Sequence, residues 1–229
     1  LDHCGSNPDF VLAVDGPLGS VLHGGPGVQW LEVQYKAAGG HAWQDAGAPS
    51  AIHSLGQFIH DLQEISLPND PKTILNVGTV AGGTVPNAIA QSAAAKIDMR
   101  SAEQGALDTL AAQVRQAAVN TAAKTGVQWT MEVLNQMPAG ALPGGEKHPM
   151  AQTAREILER LGQPIFAQGF AATDANPANA RGIPALTVGA TTGGGIHSMD
   201  EYADLNPLLV GAEQICLLLH AIAEWLDQA

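Results

Sequence analysis

The sequence predicts an α/β domain interrupted by an inserted α+β domain, and three observations predict it. A short apolar strand opens the chain, and apolar strands alternate with helix-period segments toward its other end. Between them the elements follow the order βαββαβ. The joins are rich in glycine and proline. Residues 10–14 are an apolar run ended by Asp15-Gly16-Pro17, a buried strand with a polar group at its C-terminal end. A link, His23-Gly24-Gly25-Pro26-Gly27, marks a boundary. Leu31, Val33 and Tyr35 alternate with Glu32, Gln34 and Lys36, the period of a half-buried strand. Ile52, Leu55, Phe58, Ile59 and Leu62 recur at helical spacing. Residues 74–77 and 95–100 give two more strands, residues 107–114 a second helix and residues 127–133 a fourth strand. This order is the ferredoxin-like pattern, one antiparallel sheet with two helices on one face. After a Pro/Gly-rich loop at 138–145, residues 154–161 form a helix and 164–170 and 184–188 form strands. Leu208, Leu209, Ala212, Ile215, Cys216, Leu219 and Ile222 then mark a long amphipathic helix. The expected division is 1–24 and 138–229 for the α/β parts and 25–137 for the insertion.

Composition narrows the class of protein. The chain has 229 residues, 45% of them hydrophobic, enough to bury a core. Its formal net charge of −12 argues against binding a phosphate backbone, so no nucleic-acid partner is expected. No uninterrupted apolar run reaches the roughly 18 residues of a membrane span, so no membrane partner is expected either. No signal peptide is visible and two cysteines make no disulfide framework, which together suggest a cytoplasmic protein. Cys216 lies in an apolar run and reads as a buried thiol.

Several residues could carry chemistry, and each also has a plainer reading. Asp15 ends a strand where open α/β sheets place their sites; it suits a metal ligand or general base, or a simple turn. His197 follows Gly193-Gly194-Gly195 at a strand-to-helix junction, a good place for a metal ligand or for a solvated histidine. Ser198 and Glu201 beside it have capping-box spacing. His41 follows Gly39-Gly40 at a strand end, placed to donate to an oxyanion or simply exposed. Asn87 and Arg100 suit carboxylate recognition, or a turn and a strand end. Thr173, Asp174 and Asn176 form either a helix cap or a loop whose carboxylate orients a ligand histidine. His3, His23, His53, His60, His148 and His220 show no paired metal spacing. Gly-Xaa-Ser-Xaa-Gly, Walker A and Cys-Xaa-Xaa-Cys motifs are all absent from the sequence.

Taken together, these residues resemble the M20 metallopeptidase family. Residues 76–89, the run Lys96-Ile97-Asp98-Met99-Arg100-Ser101 and Gly39-Gly40-His41-Ala42-Trp43 resemble its dimerisation (lid) domain. Val14-Asp15-Gly16, Thr173-Asp174-Ala175-Asn176, residues 182–186 and residues 193–201 resemble later parts of its catalytic domain, in family order. The resemblance implies a hydrolase-like zinc catalytic α/β domain carrying an inserted ferredoxin-like lid. It implies hydrolysis of amide bonds in peptides or N-acyl amino acids by a metal-activated water, in a homodimer joined through the lid. Carried over by motif, Asp15 and His197 would be metal ligands, His41 would stabilise the oxyanion from its own or the partner subunit, and Asn87 and Arg100 would hold the substrate. Gly194 and Gly195 would let the substrate approach, and Thr173, Asp174 and Asn176 would shape the site loop. The family's first histidine ligand, bridging aspartate and Glu-Glu pair have no counterpart in these residues. The resemblance therefore implies the C-terminal portion of such an enzyme, with zinc partial or absent and the 229-residue chain inactive alone. The alternative is a module that dimerises or binds a small ligand without catalysis. Either way, the catalytic-half sheet is expected to show an open edge and uncovered apolar surface, covered by another copy or by further polypeptide.

Overall fold

The computed structural model describes residues 8–165, 167–196 and 198–228; His3 and Cys4 lie outside them. The chain divides into two compact units, one up to Pro26 and from Pro138 onward, the other Gly27–Met137. The first unit opens with β1 (Val11–Val14) and β2 (Ser20–Gly25). β2 includes residues expected to be a link. His23-Gly24-Gly25 has little strand propensity, and pairing on both sides makes it a strand nonetheless.

The second unit holds β3 (Gly27–Lys36), β4 (Gly40–His41), α1 (Ala51–Gln63), β5 (Thr73–Gly82), β6 (Ala88–Ile89), β7 (Ser92–Ser101), α2 (Gln104–Thr125) and β8 (Gln128–Met137). Four strands form an antiparallel sheet in the order β5-β7-β3-β8. β3 and β7 pair along their full length, from Gly27 with Ser101 to Lys36 with Ser92. Alternation then sends Leu31, Val33 and Tyr35 of β3, and Ala93, Ala95, Ile97 and Met99 of β7, to one buried face. Leu55, Phe58 and Leu62 of α1 and Leu107, Leu110 and Val114 of α2 close over it. The Tyr35 hydroxyl donates to the Ala118 carbonyl at 3.2 Å, and burial pushes its pKa well above the usual phenol range.

The chain returns to the first unit with β9 (Gly140–Ala141), α3 (Pro149–Arg160), β10 (Ala167–Phe170), α4 (Asn176–Ala180) and β11 (Ala185–Val188). The hairpin strands β12 (Gly193–Gly194) and β13 (Tyr202–Ala203) follow, and α5 (Leu208–Asp227) ends it. The sheet runs β1-β11-β2-β10, with β9 on β2. β1 with β11 and β10 with β2 are parallel, but β11 with β2 is antiparallel, so the sheet is mixed. His148 caps α3, its Nδ1 accepting from the Met150 N–H at 3.2 Å, with Pro149 in the first turn. Its ring lies 5.2 Å from that of Trp225, and burial lowers its pKa.

α5 departs from expectation in three ways. Its buried face is Gly211, Gln214, Leu218 and Ile222, while Leu208, Leu209, Leu217 and Leu219 are exposed. Cys216 is exposed, not buried. The helix is apolar nearly all round, so periodicity alone did not fix which face the chain covers. It is also long and apolar enough to cross a membrane by length and composition, with a mean hydropathy of 1.4 and only 22% of that window buried. Glu213, Gln214 and His220 interrupt its apolar sequence, so it shows no unbroken apolar run. The uncovered apolar surface expected on this unit is therefore present, on α5.

Candidate functional site

The proposed site residues fall into four places, each within one unit. In the first unit Asp15 follows β1, its backbone N–H still bonded to the Val188 carbonyl at 3.0 Å. Its Oδ1 accepts from the Gly16 N–H at 2.7 Å, and the carboxylate is exposed. It lines a cavity of about 220 Å³ with Thr191, Gly194, Ile196, Glu201 and Tyr202. His197, the other expected metal ligand, lies outside the described residues. Among the described residues no three His, Cys, Asp or Glu side chains converge on one point. One carboxylate beside Glu201 does not amount to a metal centre, so the described donor set does not fit the two-metal site of the resemblance.

The glycines there serve their own hairpin. A Cβ on Gly194 would stand 3.0 Å from the Tyr202 ring. Gly195 has φ +66°, and a Cβ there would lie 2.8 Å from the Asp200 carbonyl oxygen. Ser198 does not open a capping box, because no helix follows it. Its hydroxyl donates to the Gly195 carbonyl at 2.7 Å and closes a turn that leads into β13. Glu201 and Tyr202 line the cavity because β12 and β13 pair, which the sequence read as a capping signal.

Thr173, Asp174 and Asn176 surround the start of α4, which has no side-chain cap. The Thr173 hydroxyl pairs with that of Thr187 at 2.7 Å, and Asp174 is exposed. Asn176 is fully buried. Its Nδ2 donates to the carbonyls of Pro26 and Pro138, both at 3.1 Å, and its Oδ1 accepts from the Thr173 N–H at 3.3 Å. It pins together the two points at which the chain leaves and re-enters this unit.

In the second unit β4 and β6 form a two-stranded ribbon that holds His41 and Asn87 close together. His41 pairs with Ala88, and the Ala42 N–H donates to the Asn87 carbonyl at 3.0 Å. Gly39 turns the chain into the ribbon at φ +79°. Asp45 Oδ2 accepts from the His41 N–H at 2.7 Å and fixes the turn. The N–H groups of Trp43 and Gln44 donate to His41 Nδ1 at 3.2 and 3.4 Å. Nδ1 is therefore unprotonated and the proton sits on Nε2, on an exposed side chain free to donate. Trp43, 87% exposed, stands beside it; nothing in the Gly39-Gly40-His41-Ala42-Trp43 pattern marks this aromatic as one left in solvent.

Arg100 is not part of that cluster. It lies eight residue steps along β7 from Ser92, about 27 Å at ~3.4 Å per residue. Its Nε lies 3.1 Å from both carboxylate oxygens of Asp98 and its Nη2 lies 3.0 Å from Oδ2. Asp98 also accepts from the Trp30 indole N–H at 3.1 Å. Asp98 thus holds the guanidinium on the helix-free face of the sheet.

Comparison with known proteins agrees with this architecture. Residues 24–126 match the M20 peptidase dimerisation domain. A tripeptidase from Staphylococcus aureus shares the fold with a TM-score of 0.79 at 21% identity, covering 98% of this chain and 60% of that one. The aminopeptidase PepT of Bacillus cereus gives 0.73 at 20% identity, covering 93% of this chain and 57% of that one. An aminobenzoyl-glutamate utilization protein from Klebsiella pneumoniae gives 0.68 at 18%, covering 91% and 52%. This chain thus spans between about half and three-fifths of the length of these relatives. No curated protein matches it in sequence. The chain carries the M20 peptidase dimerisation domain at residues 24–126, in a mixed α/β fold shared with M20-type peptidases.

Proposed function

We propose that the chain is part of a metal-dependent hydrolase that cleaves amide bonds in small peptides or N-acyl amino acids, working in the cytoplasm as a homodimer. In this reading residues 27–137 are a ferredoxin-like lid inserted in a zinc-binding catalytic domain. The observation that carries it is His41, with Nδ1 locked by two backbone N–H groups and its Nε2 proton presented from a rigid ribbon. Such a donor stabilises the oxyanion that forms when water adds to an amide carbonyl. Asn87 sits in the same ribbon and donates to the substrate backbone. Arg100, oriented by Asp98, holds the substrate carboxylate. Asp15 and His197 each contribute a metal ligand, while the remaining ligands and the general base come from polypeptide of the kind the longer relatives carry. A metal at that centre would supply the activated water.

The test is hydrolysis of dipeptides, tripeptides and N-acyl amino acids by the intact natural protein, with mass and bound metal measured on the same sample. A species above 23.6 kDa that carries zinc and turns over one of these classes supports the reading. His41→Ala should then lower kcat about 10²–10³-fold with little change in KM. An unchanged kcat would refute the role of His41. A metal-free 23.6 kDa species without activity favours the second reading, a dimerising or small-ligand-binding module.

A further inference from the structure

We propose that Asp45 is a positioning residue for His41: its carboxylate closes the turn whose backbone N–H groups hold the imidazole with its proton on Nε2. The consequence for turnover rests on the functional reading above; the effect on the ring does not.

Residues 40–47 are exposed throughout. No core packing fixes this turn, so its shape depends on its own hydrogen bonds and on the ribbon that anchors it. Asp45 bonds both backbone groups of His41. The Asp45 N–H donates to the His41 carbonyl at 2.9 Å, and Asp45 Oδ2 accepts from the His41 N–H at 2.7 Å. The first of these bonds closes a single helical turn from residue 41 to residue 45. That turn aims the N–H groups of Trp43 and Gln44 back at residue 41, where Nδ1 receives them at 3.2 and 3.4 Å. An N-cap side chain receives the free N–H groups of a first helical turn in the same way. The turn thus orients the imidazole, and Asp45 fastens the turn.

The carboxylate has a reserved place. A Cβ on Gly40 would stand 2.6 Å from Asp45 Oδ2, so residue 40 leaves open the space that the carboxylate fills. The Ala48 N–H donates to the Asp45 carbonyl at 3.0 Å and ties the far side of the turn. The donor that Oδ2 meets is a neutral backbone N–H. An amide oxygen at the same position can accept that bond, whereas a methyl group cannot. Without an acceptor, the His41 N–H turns to water and the N–H groups of Trp43 and Gln44 drift from Nδ1. The neutral ring then shares its proton between its two nitrogens and presents Nε2–H for only part of the time.

Nitrogen-15 NMR of the 229-residue chain tests the proposal, at pH ~8.5, above the ordinary histidine value of about 6.5. The His41 signals are assigned by their loss in His41→Ala. The unsubstituted chain should show Nδ1 bare and Nε2 protonated. Asp45→Ala should draw the two nitrogen shifts toward each other and speed solvent exchange of the Trp43 and Gln44 amides about fivefold, the worth of one hydrogen bond. Asp45→Asn should match the unsubstituted chain. Gly40→Ala, which displaces the carboxylate without removing it, should repeat the effect of Asp45→Ala, and it decides the matter should Asp45→Ala fail to fold. In the intact natural protein Asp45→Ala should lower kcat about 5–10-fold with KM unchanged, and Asp45→Asn should restore it.

Unmoved His41 nitrogens in Asp45→Ala or Gly40→Ala would overturn the proposal, as would an Asp45→Asn chain disturbed as much as Asp45→Ala. An unchanged kcat in an Asp45→Ala enzyme whose ring has loosened would overturn it too. An inactive natural protein whose ring loosens in Asp45→Ala would refute only the hydrolase reading. An active one whose ring does not respond would refute only the role of Asp45.

Discussion

Replacing Asn176 by alanine tests whether one amide holds the two chain crossings together. The side chain makes three hydrogen bonds, to the carbonyls of Pro26 and Pro138 and from the N–H of Thr173, and it is wholly buried. Each bond contributes on the order of 1 kcal/mol net, and a buried carbonyl left dry costs about 1–3 kcal/mol more. Two carbonyls and one N–H lose their partner together, so the expected loss is about 3–5 kcal/mol, a large share of a typical domain's stability. Urea unfolding of the variant should show a lower midpoint with an unchanged slope. Asn179→Ala is the comparison. Asn179 bonds both the N–H and the C=O of Ala185, but at one point within the first unit. Limited proteolysis should therefore cut near residues 26 and 138 faster in Asn176→Ala than in Asn179→Ala. A loss below about 1 kcal/mol, or equal cutting in the two variants, would refute the clamp.

Two further predictions follow from buried groups in the first unit. Neither amide atom of Gln214 finds a partner among the described residues, although the side chain is fully buried in α5. Gln214→Leu should therefore raise stability by about 1–2 kcal/mol in urea, and a loss of that size would show the amide to be bonded. Burial lowers the pKa of His148 below its unfolded value of about 6.5, so the folded state binds fewer protons. Its contribution is complete above the unfolded pKa and is lost as pH falls through the folded pKa. Thermal midpoints should decline from pH 7 to 5, less steeply for His148→Asn, which can keep the cap of α3 without titrating. Equal slopes would assign the decline to other groups.

How legible each element was depends on how it is stabilised. Alternation in Leu31-Glu32-Val33-Gln34-Tyr35 and helical spacing in Leu55, Phe58 and Leu62 report a single buried face, and those elements lie where the pattern puts them. The C-terminal half of β2 reads as a link because His23-Gly24-Gly25 has no strand signature, and it exists through partners distant in sequence. The sequence marks α5 as a helix but not which of its faces is buried. An apolar residue lies on almost every face, and only the packing of Leu218 and Ile222 into the core settles its rotation.

The candidate site shows the same limit at larger scale. Short motifs carried His41, Asn87, Arg100 and Asp15, because a turn or a strand end constrains a few adjacent residues. What motifs cannot carry is distance. Asn87 and Arg100 are close in sequence, yet β7 between them runs straight for almost its full length. A helix in the same interval would have set them about half as far apart, since it rises ~1.5 Å per residue against ~3.4 Å for a strand. The extended strand therefore holds Arg100 about 27 Å from the Ser92 end of β7, at ~3.4 Å per residue.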